Sequence, residues 1–372
     1  MNIAIVCYPT FGGSGVLATE LGKALADTGH NIHFITYQQP VRLSGFHANI
    51  FYHEVRVPTY PLFDYPPYET ALASTMVDVV NNHNIEILHV HYAIPHAAAA
   101  YMAKQILAKQ NKKIPVITTL HGTDITLVGR DKTYSPVVTF SMEESDVLTA
   151  VSNNLKEETY KNFTINKPIE VIYNFVDVAR FNKKPVDAFK KLIAPNGERI
   201  IVHASNFRKV KRVDDVLQTF LLLNKTIPSK LLLIGDGPER VRIEQISREC
   251  EYGHEVKFLG KQEQMEDILP IADLFLLPSE YESFGLAALE AMAAEVPVIS
   301  TNAGGLPEIN INGYCGYMSN VGDVEDMSRN AVSILKDENT YQEFKANALA
   351  QAKKFDISNI VPLYEKLYER LL

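Results

Sequence analysis

Two carboxylates, Glu282 and Glu290, stand with seven residues between them around Ser283-Phe284-Gly285-Leu286, in the stretch 279–294, SEYESFGLAALEAMAA. Ser283 suits the N-cap of a helix and 284–293 is rich in Ala, Leu and Met, so the spacing predicts a loop turning into a helix. The free N–H groups of Phe284, Gly285 and Leu286 then point out of the helix start, where backbone and dipole together favour a phosphate. Glu282 lies just before that anion site. Glu290 lies about 9 Å along the axis from Phe284 at the usual helical rise, in reach of a sugar hydroxyl beside the helix. This is the layout for a nucleotide diphosphate lying along a helix; the same composition also describes a half-buried helix with no ligand.

Other residues have chemistry of their own. Arg208, Lys209, Lys211 and Arg212 follow Ser205-Asn206-Phe207 and give a local positive field in an otherwise acidic chain, suited to a departing diphosphate or simply to solvent. Pro9-Thr10-Phe11-Gly12-Gly13-Ser14-Gly15 is a glycine-rich loop whose N–H groups suit a phosphate or sugar, although it lacks both GxGxxG and GK[ST] spacing. His89 and His91 form an HxH on a strand, facing one side; with His121 they lack the spacing of a metal site, and no metal is expected. Arg130, on a loop before a helix at 135–144, offers the fork of donors that an acidic acceptor needs.

The elements that must position these residues alternate. Short β-branched runs at 3–7, 32–36, 51–57, 87–90, 116–119 and 147–150 are separated by helical stretches, including 15–28, 68–83 and 96–109. After 169–172 a second series begins, at 200–204, 230–234, 256–259, 274–277 and 298–300. Such alternation predicts an α/β chain of two doubly wound, mostly parallel sheets. Ligands on such sheets collect at the carboxyl ends of strands, where Tyr92, Thr119, His121 and Thr123 fall. Two facing domains make a cleft for two substrates.

A chain of 372 residues exceeds the usual single core, and a net charge of −8 argues against nucleic acid and against docking on anionic lipid. The start, MNIAIVCY, reads as a strand rather than a signal peptide, and no apolar run approaches the ~18 residues of a membrane span. Cys7, Cys250 and Cys315 are widely spaced, as buried thiols in a reducing compartment are, so the expectation is a cytoplasmic protein. A homo-oligomer is left open.

Glu, seven residues, Glu around Ser-Phe-Gly resembles the signature of the retaining, two-domain glycosyltransferases that use nucleotide sugars, the group (GT-B, family 4) typified by sucrose synthases and bacterial glycogen synthases. The resemblance implies two Rossmann-like domains, a donor-sugar contact for Glu282 and a ribose contact for Glu290. It places Gly13, Ser14 and Gly15 against the donor, His121 as an active-site histidine beside the donor sugar, and Lys261-Gln262 where backbone holds the base. The family has Gly-Arg before its basic loop, with Lys five residues after the Arg; this chain keeps Lys211 but has Asn206 in the place of the Arg, so Arg208 is the substitute. Tyr173-Asn174-Phe175-Val176-Asp177 resembles the interdomain crossover. The implied domains are 1–172, binding the acceptor, 173–355, binding the donor, and a final helix, 356–372, returning to the first. Gly235-Asp236-Gly237 matches a turn that shapes the cleft, and the loop 301–308, TNAGGLPE, resembles the family's next loop, with a structural role.

CYPTFGGSGVLATELG, HYAIPHA, TTLHGTDITLVGRD, YNFVD, SNFRKVKRV and SEYESFGLAALEAM look like the bacillithiol-pathway branch of this group. Its members join N-acetylglucosamine from UDP-N-acetylglucosamine to the hydroxyl of L-malate. The resemblance implies Tyr92, Thr119, Thr123 and Arg130 as acceptor donors, with Glu282, His121, Lys211 and Arg208 at the reacting centre. No DxD occurs, so neither metal nor other cofactor is implied. Two alternatives stay open: a transferase acting on a cell-surface acceptor, and a nicotinamide-dependent oxidoreductase or passive nucleotide-binding module on similar sheets.

Overall fold

A computed structural model of the protein describes residues 1–10, 12–58, 61, 64–181 and 187–372; Phe11 of the glycine loop lies outside the described residues. The chain divides into two units, residues 1–174 with 360–372, and residues 175–359. These divisions fall two and four residues beyond the boundaries expected at 172 and 355. The reason is local pairing: the Val176 N–H donates to the Phe355 carbonyl (3.0 Å) and the Ile357 N–H to the Val176 carbonyl (2.9 Å), which ties both crossing segments into the second unit.

The described residues of unit 1 carry seven strands: β1 (Asn2–Val6), β2 (Asn31–Thr36), β3 (Ile50–Glu54), β4 (Ile87–His91), β5 (Val116–Leu120), β6 (Val147–Ala150) and β7 (Ile169–Val171). All pair in parallel, in the order β3-β2-β1-β4-β5-β6-β7. Ile3, Ile5, Val6, Leu88 and Val90 are fully buried because helices cover both faces, as parallel sheets require. The helix Tyr68–His83 and the helix Ala98–Lys109 supply Leu72, Met76, Ala99 and Ala103 to one such layer. Unit 2 repeats the plan with β8 (Arg199–Ser205), β9 (Ser229–Gly235), β10 (Val256–Gly260), β11 (Leu274–Leu277), β12 (Val298–Thr301) and β13 (Gly316–Ser319), in the order β10-β9-β8-β11-β12-β13. Both orders reverse between the first strand and the fourth, the switch point at which doubly wound sheets bind ligands. β13 was not foreseen; its four residues, GYMS, carry one β-branched neighbour at most and no alternation. No helix among the described residues is long and apolar enough to cross a membrane. Cys7 and Cys315 are buried, while Cys250 is partly exposed.

A column of buried polar groups runs through unit 1. His89 shares hydrogen bonds with the Tyr368 hydroxyl (2.8 Å) and with Thr119 Oγ1 (2.7 Å), which in turn meets Thr149 Oγ1 at 2.7 Å. His91 stacks on His89 with ring centroids 4.6 Å apart and shares a hydrogen bond with His121 at 2.8 Å. Residues 360–372 therefore enter unit 1 through Tyr368.

Burial holds these imidazoles neutral: His89 and His121 are pushed down to about 3, His96 to about 4, and in unit 2 His203 to about 4. In the unfolded chain they protonate near pH 6.5. Their folded pKa values are depressed, so the stability they contribute is full above about pH 6.5 and is lost as pH falls toward 4, by up to about 1.4 kcal/mol per pH unit for each histidine. Asp124 opposes this, because burial raises its carboxyl to about 6 and its contribution, full below about pH 4, is lost as pH rises through 6. Four histidines outweigh one carboxyl: the urea unfolding midpoint should fall between pH 7 and pH 5, and a constant midpoint would contradict the buried column.

Candidate active site

At the carboxyl end of β8 the chain leaves the sheet through Asn206, Phe207 and Arg208, then makes a short turn, Lys209–Lys211. Phe207 is fully buried and anchors the loop, whereas Asn206 and Arg208 are exposed. Its neighbour is the loop after β11, whose Glu280 N–H donates to the Val210 carbonyl at 2.8 Å. This backbone bond sets the two loops side by side, and Lys211 Nζ donates to Glu282 Oε1 at 2.6 Å. Ser279 Oγ donates to the same oxygen at 2.8 Å. The structure thus brings Lys211 and Glu282, 71 positions apart, into one partly buried ion pair.

Glu282 is also fixed from behind. Its carbonyl accepts the Gly305 N–H at 2.8 Å, and Gly304 sits so close, at φ +61°, that a Cβ there would lie 2.0 Å from that oxygen. The loop 301–308, read from sequence as structural, is thus the clamp on the Glu282 backbone. Ser279 and the clamp carry no site role in the sequence reading; Ser279 had a signal in its place three residues before a Glu, and the clamp had only its paired glycines.

The helix start differs from expectation. The helix is Leu286–Ala293, and its N-cap is Gly285, at φ 101° and ψ 48°, not Ser283. A left-handed cap suits Gly rather than Ser, and Phe284, fully buried against Phe355 with ring centroids 5.7 Å apart, holds the preceding turn out of helical geometry. The open helix-start N–H groups are therefore those of Leu286 and Ala287, with Phe284 and Gly285 in the turn before them. Glu290 is the fifth helical residue, about 6 Å along the axis from Leu286 rather than 9 Å from Phe284, and is mostly buried. Lys261 is exposed just beyond β10, separated from β11 by β9 and β8, on the order of 14 Å at the usual strand spacing.

Unit 1 gathers a second group at the carboxyl ends of β1, β4 and β5. Gly13, Ser14 and Gly15 are the first turn of the helix Gly13–Asp27, which starts two residues before the expected position. Ser14 Oγ shares a 2.6 Å hydrogen bond with the Tyr92 hydroxyl. Tyr92 has φ 86°, a costly backbone state for a side-chain-bearing residue, held by its N–H to the Thr119 carbonyl at 2.9 Å. His121 is buried, and desolvation keeps its imidazole neutral. Thr123 is exposed. Asp124, absent from the sequence candidates although it lies in HGTD, accepts the Ala93 N–H at 2.8 Å and the Gly122 N–H at 3.1 Å, and so joins the loops after β4 and β5.

One acceptor candidate needs correction, and a second is found in an ion pair. Thr119 is a strand residue facing the interior, its hydroxyl held by His89 and Thr149, and it presents nothing to a ligand. Arg130 is half exposed but already paired, donating to Glu158 Oε2 at 2.7 Å.

The described geometry matches known proteins at both levels. The family model described as Glycosyltransferase Family 4 matches residues 11–180, and that described as Glycosyl transferases group 1 matches residues 186–351. N-acetyl-alpha-D-glucosaminyl L-malate synthase of Bacillus anthracis is 46% identical over 374 aligned residues, covering 100% of this chain and 97% of that one. The chain belongs to glycosyltransferase family 4. A more distant relative, the phosphatidylinositol N-acetylglucosaminyltransferase GPI3 subunit of Saccharomyces cerevisiae, is 25% identical over 90% of this chain and 76% of its own. Among solved structures, Anabaena HepE in complex with UDP and glucose superposes with a TM-score of 0.83 at 18% identity, covering 99% of each chain. Sucrose-phosphate synthase of Thermosynechococcus elongatus gives 0.81 at 22% identity, covering 100% of this chain and 99% of that one. The fold is that of the GT-B glycosyltransferases, and the chain is an enzyme of that class.

The clamp yields a test within this family. Gly304→Ala forces a methyl group into the Glu282 carbonyl, while Gly197→Ala imposes a similar left-handed strain, φ +80°, where nothing lies within 4 Å. Both should lose about 1 kcal/mol or more of stability. Only Gly304→Ala should also cut glycosyl transfer, by at least about tenfold, because a displacement near 1 Å at a reacting centre costs on that order or more; equal activity in the two variants would remove the clamp from the site.

Proposed function

We propose that this glycosyltransferase moves N-acetylglucosamine from UDP-N-acetylglucosamine to the hydroxyl of L-malate, with retention at the anomeric carbon and without a metal ion. The observation that carries the reading is the 46% identity, over the whole chain, to a protein named for that product. The Lys211–Glu282 pair supplies the chemistry.

In unit 2, Glu282 accepts hydroxyl hydrogens of the donor sugar, and Lys211 with Arg208 stabilises the charge that grows on the leaving diphosphate. The N–H groups of Leu286 and Ala287 at the helix start share that charge, with Ser283, Phe284 and Gly285 forming the turn that leads to them. Glu290 accepts from the ribose, and Lys261 with Asn206 lies toward the nucleotide end. These cationic and N–H donors do the work that a divalent ion does elsewhere, which is the support for a metal-free reaction.

In unit 1, Tyr92, Thr123 and Arg130 recognise the dicarboxylate, and Gly13 and Ser14 add helix-start N–H groups for the anionic ends of the substrates, while Gly15, whose N–H donates to the Gly12 carbonyl at 3.0 Å, closes that turn. Arg130 is available because an exposed ion pair such as that with Glu158 is worth only about 0–1 kcal/mol, so a ligand carboxylate can displace it. The malate hydroxyl oxygen bonds to the anomeric carbon on the face from which the diphosphate leaves, the carbon–oxygen bond to phosphate breaks, and the hydroxyl proton passes to the leaving phosphate oxygen. Glu282 attacks nothing in this scheme. Its carboxylate is already committed to Lys211 and Ser279, which lowers its nucleophilicity.

Purified protein given UDP-N-acetylglucosamine in EDTA should release UDP only when L-malate is present and form a product of glycosyl-malate mass. UDP release with another acceptor alone would overturn the malate assignment, and a requirement for metal would overturn the metal-free scheme. Glu282→Gln and Lys211→Ala should each lower kcat by about 100- to 1000-fold. Accumulation of a glycosyl adduct on another side chain of Glu282→Gln would replace front-face attack by a covalent route.

A further inference from the structure

Far from the loops described above, three histidines converge at the edge of the unit 1 sheet. His33 is the third residue of β2 and His53 the fourth of the edge strand β3; the register pairs His33 with Phe51 and Ile35 with His53, so both imidazoles project from one face. His83 closes the helix Tyr68–His83 that covers that face. One ring nitrogen from each lies within 4.8 Å of the others. His33 Nδ1 and His53 Nε2 are 2.9 Å apart, and the His83 ring centroid is 4.9 Å from His33 and 4.8 Å from His53.

We propose that His33, His53 and His83 bind a divalent transition-metal ion of the zinc class, with three imidazole ligands and a fourth position on the exposed side where His83 stands. Zinc–nitrogen bonds of about 2.0–2.1 Å in a tetrahedron separate ligand nitrogens by about 3.3 Å, so small ring rotations bring the three into place. Imidazole donors without carboxylates fit zinc, nickel or copper rather than magnesium or calcium. Phe51 stacks on His33 at 4.6 Å and 18°, which fixes the plane of the most buried ligand. The end of a 16-residue helix presents its negative dipole pole beside His83, and the Asp78 carboxylate acts on His53 through space; both favour a cation. Without an ion the rings oppose one another's protonation, desolvation and then His53 and His83 lowering His33.

The helix ends where the chain turns back to begin β4, so His83 stands at the amino side of the strands, whereas Tyr92 and His121 follow the carboxyl ends of β4 and β5. A metal here ties the edge strand to a helix and does not enter glycosyl transfer.

The test uses untagged full-length protein stripped with EDTA and titrated calorimetrically with zinc chloride. One equivalent should bind with a micromolar or lower Kd, and the thermal midpoint should rise with zinc concentration. His83→Gln, at an exposed position that leaves the fold intact by circular dichroism, should weaken binding at least about 100-fold while its transfer activity in EDTA stays at the parent level. His53→Gln should weaken zinc binding similarly. Stoichiometric zinc binding that survives unchanged in both variants, or no binding below 0.1 mM (about 5.5 kcal/mol at that Kd), would overturn the site.

Discussion

The ion pair between Lys211 and Glu282 rests on one backbone bond, from the Glu280 N–H to the Val210 carbonyl, that sets the loops after β8 and β11 in contact. Those strands are neighbours in the sheet, and their parallel pairing puts both loops at one end. The clamp of Gly304 and Gly305 then leaves Glu282 no room to withdraw. A parallel sheet thus does more than fill a core: it delivers side chains from distant sequence to one edge, and short loops complete the delivery.

Unit 1 uses the same ends of its strands differently. There the groups behind the surface are neutral imidazoles and hydroxyls in a fully buried column, and each needs its partner because an unsatisfied polar group in such a place costs on the order of 1–3 kcal/mol. Tyr368 and Thr119 satisfy His89, Thr149 meets the Thr119 hydroxyl in turn, and His121 satisfies one nitrogen of His91. The strained Tyr92 backbone stands directly after this column, with its hydroxyl on Ser14. Preorganisation at the rim is therefore supported from below by a network with few alternative arrangements.

Much of the fold was legible in the sequence because short buried strands leave a strong signal. The runs at 147–150 and 274–277 coincide with β6 and β11, and most other strands differ by one or two residues. Glu282 and Lys211 were legible as chemistry but not as partners, since no local rule pairs residues 71 positions apart. The helix start was misplaced because Ser283 satisfies the N-cap preference, while the buried ring of Phe284 and the left-handed Gly285 decide the geometry. Thr119 was misjudged for a related reason: residue type shows hydrogen-bonding capacity, and only the fold shows that His89 and Thr149 have already used it. The histidines at 33, 53 and 83 escaped notice because they come from two strands and a helix with no motif spacing.

The assignment of residues 360–372 to unit 1 has a consequence for the order in which the protein is made. Unit 2 is continuous in sequence, whereas unit 1 is interrupted by it. During synthesis, domains tend to fold as units from the amino terminus. Here the imidazole of His89 waits for Tyr368, which leaves the ribosome only after all of unit 2, so the first unit begun is the last completed.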